Sequence, residues 1–344
     1  MRKNAIIVLL YLVIISVLEG CSKQNITSKE NKSSDESKKI NIVATIFPQY
    51  DFARQIAGDK ADITMLLSPG AESHSYDPSP QDILKIQNCD MFLYVGGESD
   101  EWIDDLLQSM DTSKMTVIRL MDCVDIVEEE IVEGMEGEEE VEGKEVKEDG
   151  TEEDVDYVLQ QEEAQGQEVE YDEHVWTSPK NAIRIVDKIA ETLGDIDQMN
   201  QEFYEMNAKD YVKCLEQLDQ EFKEVVDNAA RHIIVLGDRF PFRYFADAYG
   251  LEYAAAFPGC STETEPSVAT ITYLVDKIKE EQIPVVFYIE FSNHKIADSI
   301  SESTGAKTLL LHSCHNISKD DFDNGITYLD LMRQNVDRLK EALK

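Results

Sequence analysis

Residues 42 to 46 read Ile42-Val43-Ala44-Thr45-Ile46, a short and largely apolar run with a helix-forming stretch, Asp51 to Gly58, close behind it. An apolar run this short, without strict alternation, fits a strand covered on both faces. The unit recurs: Ile63-Thr64-Met65-Leu66-Leu67 reads as a second strand, Gln81 to Gln87 as a helix and Met91 to Val95 as a third strand. Strands that alternate with helices build parallel sheets, and such sheets bind ligands at the carboxyl ends of their strands. The fold class expected is α/β.

Further along, apolar residues recur at Tyr204, Ala208, Tyr211, Leu215, Leu218, Phe222, Val225 and Ala229, spaced by four and three in alternation. That period predicts one long amphipathic helix over 199–230; some thirty residues at 1.5 Å each span roughly 45 Å, longer than a lobe is wide. A second α/β series follows. Strands are expected at His232 to Leu236, Leu251 to Phe257, Val285 to Ile289 and Thr308 to Leu311, and helices at Glu265 to Glu280, His294 to Thr304 and Asp323 to Ala342. Pro266 stands near the start of the first of these helices, where its missing N–H costs nothing. The architecture expected is two (β/α) lobes, 41–198 and 231–344, with mainly parallel sheets, joined by a long rigid helix.

The 344 residues are 42% hydrophobic and 30% charged, enough to bury one large core or two ordinary ones. The 32 Lys+Arg against 70 Asp+Glu leave a net charge of -38, which argues against nucleic acid as a partner and makes cations the natural ligands. No CxxC, GxxxxGK[ST], GxSxG or HExxH occurs, so zinc-ribbon, thioredoxin-type, P-loop, serine-hydrolase and zincin chemistry lack their usual starting points. Between 128 and 173 stand 22 Asp+Glu and two lysines, Lys144 and Lys147. Like charges at that density repel and stay solvated, so a disordered acidic insertion is expected, either purely solubilising or a loose carboxylate sponge for cations.

At the start of the chain, Arg2 and Lys3 precede an apolar run of thirteen residues from Ala5 to Val17, too short to cross about 30 Å of hydrocarbon. Residues 1–21 read as a signal peptide. The run ends Leu18-Glu19-Gly20-Cys21, which resembles the lipobox of bacterial lipoproteins and implies lipidation of Cys21. Residues 22–40 are nearly free of apolar side chains and read as a flexible tether. The location expected is therefore extracytoplasmic, with a lipid anchor in the membrane.

Four of the six histidines, His74, His174, His312 and His315, stand in polar loops just after strands or beside turn residues, where a core histidine does not belong. Neutral imidazole is the commonest metal ligand, and a neighbouring carboxylate fixes its tautomer. His74-Ser75-Tyr76-Asp77-Pro78-Ser79-Pro80 and Asp172-Glu173-His174-Val175-Trp176, with Pro179 and Asn181, resemble the first two ligand motifs of the zinc/manganese substrate-binding proteins of ABC importers. Tyr244-Phe245-Ala246, Tyr249-Gly250-Leu251 and Glu265-Pro266-Ser267 resemble the second-lobe signatures of the same family, and the likeness covers residues 42–342.

The resemblance implies a metal held in the interlobe cleft and handed to an ABC permease with its ATPase, by a monomer that makes and breaks no bond. Carried over by position, the ligands are His74, His174, Asp238 and His312. Counting back from Tyr244 lands on Arg239, which cannot bind a cation, so Asp238 takes the third place only across a one-residue insertion. His315 is the alternate for His312 or else caps or supports the turn, Glu290 stands at a strand-to-helix turn where capping is the first reading and a partner behind the ligands the second, and Glu265 is a further alternate. Three imidazoles and a carboxylate suit Zn²⁺; Mn²⁺ favours more oxygen and is the alternative cargo. Cys260 and Cys314 are expected to form a disulfide that pins the His312 loop, the alternative being that either thiolate ligates zinc. The readings from other classes are a zinc hydrolase with Glu290 or Glu173 as base, and a surface adhesin or zinc store working through the acidic insertion.

Overall fold

Ile40–Ala44 forms the first strand, β1, and its placement accounts for its sequence: Ile42 and Ala44 face one hydrophobic cluster while Val43 faces another. Both faces are covered, so the strand is apolar without alternation. The computed structural model describes residues 39–72, 76–135, 170–261 and 265–344. The expected leader, the expected lipobox with Cys21, nearly all of the expected tether and His74 lie outside them. Among the described residues no helix is long and apolar enough to cross a membrane.

Around β1 stand β2 (Ala61–Met65), β3 (Met91–Tyr94) and β4 (Thr116–Arg119), in the order β2-β1-β3-β4 and parallel throughout. The second sheet repeats this plan with β5 (Ile233–Phe240), β6 (Glu252–Pro258), β7 (Val285–Tyr288) and β8 (Lys307–Leu310), ordered β6-β5-β7-β8 and again parallel. In each sheet the order reverses beside the first strand, and the carboxyl ends there form the crevice in which open α/β sheets hold ligands. The expected α/β class is the one observed; β4, the helix before it and the helices Pro179–Ile196 and Arg243–Tyr249 are additions.

The helices of the first lobe are α1 (Phe47–Ala57), α2 (Pro80–Gln87), α3 (Glu101–Ser109) and α4 (Pro179–Ile196). Next comes α5 (Gln201–Asp227), which buries Tyr204, Ala208, Tyr211, Leu215, Leu218 and Phe222 as its period requires. Val226, not Val225, closes that stripe, and 27 residues make a rod of about 40 Å. The second lobe adds α6 (Arg243–Tyr249), α7 (Val268–Glu281), α8 (Lys295–Thr304), α9 (Lys319–Asp323) and α10 (Tyr328–Ala342). Helix α7 starts later than expected: Ser267 is its N-cap, accepting from the Thr270 amide at 3.1 Å, so Pro266 precedes the cap.

One apolar cluster runs through both lobes, joining Ile42 and Leu93 of the first sheet to Leu236 and Phe287 of the second by way of the α5 stripe, Trp176 and Tyr328. Buried Asp51 of α1 accepts the amide of Tyr328, the first residue of α10, at 2.8 Å. The lobes therefore share a core, and packing of this kind moves between discrete arrangements and does not bend continuously.

The acidic insertion is ordered at its ends. Glu128 bridges Tyr171 in antiparallel fashion, the Glu129 amide donates to Glu170 O at 2.9 Å and the Asp172 amide to Val127 O at 3.0 Å. Residues 128–135 and 170–173 thus correct the expectation of disorder across 128–173, because backbone pairing and contacts to the second lobe offset the repulsion there. Residues 136–169 lie outside the described part.

Candidate metal centre

The bridge at Tyr171 delivers the chain into Asp172-Glu173-His174, immediately before a turn of 3₁₀ helix, Val175–Thr177. His174 is fully buried. Asp172 Oδ1 accepts its backbone amide at 2.8 Å and its ring Nδ1 at 3.2 Å, while Thr177 Oγ1 donates to its carbonyl at 2.8 Å. A carboxylate can only accept, so it assigns the proton to Nδ1 and makes Nε2 the donor nitrogen for a metal. Burial opposes a charge on the ring, but Asp172, with Glu173 and Glu129, outweighs it and lifts the pKa above the ordinary histidine value.

From the second lobe, the turn His312-Ser313-Cys314-His315 is shaped by Glu290, which follows β7. Glu290 Oε2 accepts the Ser313 amide at 2.7 Å, and Oε1 accepts the Ser313 hydroxyl at 2.7 Å and the His315 amide at 3.1 Å. Cys314 sits at φ 62°, a conformation a non-glycine residue adopts only when its surroundings over-determine it. Glu290 meets that need, and its role is to build the turn.

The two histidines meet edge to face. The rings of His174 and His315 lie 5.4 Å apart at 88°, and the buried Trp176 ring lies 4.9 Å from His315. Trp176 Nε1 donates to Ser313 O at 2.8 Å, so the ring beside His174 and His315 also ties the second-lobe turn to the first lobe. Both imidazoles line a cleft of about 330 Å³, counting its open mouth, together with Glu72, Arg239, Gly259 and Glu290. Asn316 Nδ2 donates to the carbonyls of Ser68 and Ala71 at 2.9 and 2.8 Å, fastening the loop that leads toward His74 onto the second lobe.

The expected residues divide. His174 and His315 are brought together; His312 is not at the cleft. Its Nδ1 accepts the Cys314 amide at 2.9 Å and lies 3.4 Å from Glu290 Oε1, and Asn335 takes its backbone, so the ring is spent on the turn while the alternate, His315, faces His174. Burial depresses the His312 pKa, with Glu290 opposing. Asp238 is turned away as well: its oxygens accept the amides of Arg239 at 2.9 Å and Ile289 at 3.2 Å, and it is not among the residues lining the cleft.

The cause is a bulge in β5, where Leu236 pairs with Ala255 but Arg239 pairs with Phe257. The bulge puts one extra residue into β5 and sends Arg239 into the cleft, paired with Glu72 at 3.2 Å, and Asp238 behind it. Gly237 is required at the bulge, since a Cβ there would stand 2.6 Å from Ala297 Cα. Glu265 is exposed ahead of α7.

The expected Cys260–Cys314 bridge is not formed; both thiols are free. Cys314 is fully buried with Sγ 3.8 Å from His312 O, whereas Cys260 follows Gly259, which lies against His174. Among the described residues, Glu173, His174 and Cys260 form a group of metal-ligating side chains whose donor atoms all lie within 4.8 Å of one another. Asp172 and this trio were legible only in part: Asp172 adjoins His174 in sequence, but nothing in the spacing brings Cys260 to it.

A paired imidazole cleft between duplicated α/β lobes can be compared with known proteins. The model of the family ZnuA, zinc-uptake complex component A, periplasmic, matches residues 42–342. The chain belongs to the ZnuA family. It is 30% identical over 318 residues to the high-affinity zinc uptake system protein ZnuA of Bacillus subtilis, covering 92% of each. It is 31% identical over 304 residues to the zinc-binding lipoprotein AdcA of Streptococcus pneumoniae, spanning 88% of this chain but 56% of AdcA. The crystal structure of the Zn(II)-bound ZnuA-like domain of that AdcA superposes with a TM-score of 0.68 at 28% identity, covering 89% of this chain and 99% of the domain. The metal-dependent lipoprotein YcdH of B. subtilis does so with 0.70 at 29%, covering 89% of this chain and all of that one. The two-lobe ZnuA architecture is thus the one described above.

Proposed function

We propose that this ZnuA-family chain is the extracytoplasmic solute-binding component of a metal ABC importer, capturing Zn²⁺ in its cleft and delivering it to a permease and its ATPase. The observation that carries this reading is the meeting of His174 and His315, one from each lobe, with rings 5.4 Å apart. A cation bound by both fixes the lobes relative to each other, and only its differential affinity for that state shifts the population. His74 joins them by its place in the first motif, although it lies outside the described residues.

Imidazole nitrogen with Asp172 behind it favours Zn²⁺ over Mn²⁺. The chain is read as anchored through Cys21 and as doing no chemistry on its cargo. Equilibrium dialysis of the purified protein at equal free Zn²⁺ and Mn²⁺, followed by elemental analysis, tests this: one tightly held zinc per chain is expected, lost in His174→Ala. Preferential retention of manganese would overturn the zinc assignment.

A further inference from the structure

We infer that Cys260 supplies a thiolate to the metal bound at His174, taking the place of the third-position ligand that Arg239 has displaced. This rests on the zinc-capture reading above and adds a donor at its His174 end, beside the cleft-lining Gly259.

The geometry begins at the end of β6. Gly259 lies against the imidazole: a Cβ there would stand 3.1 Å from His174 Cε1 and 3.2 Å from Nδ1, tight enough that any other residue would have to push the ring aside by a few tenths of an ångström. The Cys260 amide donates to Glu129 Oε1 at 3.1 Å, fixing the loop to the ordered foot of the acidic insertion. Cys260 Sγ then lies within 4.8 Å of a ring nitrogen of His174 and of a Glu173 oxygen. Donor atoms in a tetrahedral zinc site, at about 2.0–2.3 Å from the metal, stand roughly 3.5 Å apart, so about 1 Å of closure completes the arrangement.

Glu173 is the weaker donor, because its oxygens already accept from the Ser99 hydroxyl at 2.6 Å and the Ser99 amide at 3.2 Å. Arg239 lines the cleft without a lone pair to offer, and Asp238 spends its carboxylate on backbone amides. The thiol is not committed to a disulfide. On binding, the Cys260 S–H bond breaks, its proton passes to solvent and one S–Zn bond forms, with no change in oxidation state.

Cobalt(II) in the zinc site reports the donor directly. The Co²⁺-loaded protein is expected to show a sulfur-to-cobalt charge-transfer band in the near ultraviolet that Cys260→Ser abolishes and Cys314→Ser retains, with zinc affinity falling at least tenfold in Cys260→Ser alone. If Cys260→Ser does not fold, alkylation of the wild-type protein with N-ethylmaleimide decides: zinc is expected to protect Cys260, read by peptide mass, and equal labelling with and without zinc overturns the inference. A protein that holds one zinc tightly but shows no sulfur band, or whose Cys260→Ser variant binds as well as wild type, overturns the thiolate and leaves zinc capture standing. Failure to bind either metal overturns both.

Discussion

Glu290 positions His315 by its backbone, its Oε1 accepting the His315 amide at 3.1 Å while the same carboxylate takes both the amide and the hydroxyl of Ser313. Between those two residues Cys314 is held at φ 62°, which costs about 1–3 kcal/mol. Glu290→Ala leaves the buried Ser313 amide without this acceptor, at about 1–3 kcal/mol, and leaves the His315 amide only the Ser313 hydroxyl oxygen at 3.3 Å. The expected outcome is a lower melting temperature together with a 10- to 100-fold loss of zinc affinity, the usual cost of removing a group that orients a ligand. Glu290→Gln, which can still accept, should keep most of both. Thermal denaturation and zinc titration of the two variants check this; unchanged affinity in Glu290→Ala would separate the turn from the site.

Arg239 brings a fixed positive charge into a cleft read as a cation site, where Glu72, exposed at the mouth, pairs with it at 3.2 Å. Near a protein surface two like charges several ångströms apart repel by a few kcal/mol, reduced by that pairing and by solvent. Arg239→Ala is expected to raise zinc affinity about threefold to tenfold at low salt. Arg239→His, which adds a nitrogen donor, should raise it further. Titration at two ionic strengths checks the electrostatic part, since a benefit that does not shrink with salt has another origin.

How much of this was visible in the sequence depends on whether the deciding contact is local. The strands β1, β3, β5, β6 and β7 declare themselves because burial of their central residues on both faces demands apolar runs, and α5 declares itself through its period. Thr116–Arg119 does not, because an edge strand of four residues with a threonine, an arginine and one buried side chain carries too little pattern. His174 is legible from its motif. The choice between His312 and His315 is not: it turns on a left-handed residue at Cys314 and on Glu290, more than twenty residues earlier. Likewise the insertion near Asp238 can be counted, but which residue it points into the cleft is set by Gly237 against Ala297, sixty residues away.

Asp100 gives a pH test of the pocket behind the histidines, which it lines with Glu173 and His315. Burial, and then the nearby Glu173, push its pKa from 3.8 up to about 7, against the pull of the Val95 and Gly96 amides. A carboxyl that keeps its proton in the folded state but loses it when unfolded stabilises the fold below about pH 4, and that contribution fades as pH rises toward 7. The full shift corresponds to something on the order of 4 kcal/mol. Asp100→Asn keeps the acceptor and removes the charge. In metal-free protein its melting temperature should exceed wild type by a margin that widens from pH 5 to pH 8; a margin constant across that range would show that Asp100 titrates normally.

Removal of 136–169 asks whether the acidic insertion is part of the site. The segment carries 15 Asp+Glu and two Lys, and its flanks are already joined by the Glu128–Tyr171 bridge and by the amide of Glu129 on Glu170 O. Closing a shorter loop across a preformed pair costs little and lowers the entropy of the unfolded chain, since each halving of loop length changes closure by only about 0.6 kcal/mol. Replacing the segment with a short Gly-Ser link is therefore expected to leave stability within about 1 kcal/mol, and to leave one tight zinc site, because Asp172, Glu129 and Cys260 all lie outside the deletion. What should disappear is weak, salt-sensitive uptake of further cations, since carboxylates without a nitrogen or sulfur donor beside them bind loosely and their attraction is screened by salt. Calorimetric titration in low and moderate salt reads both events; loss of the tight event on deletion would move the metal site into the insertion and away from His174 and His315.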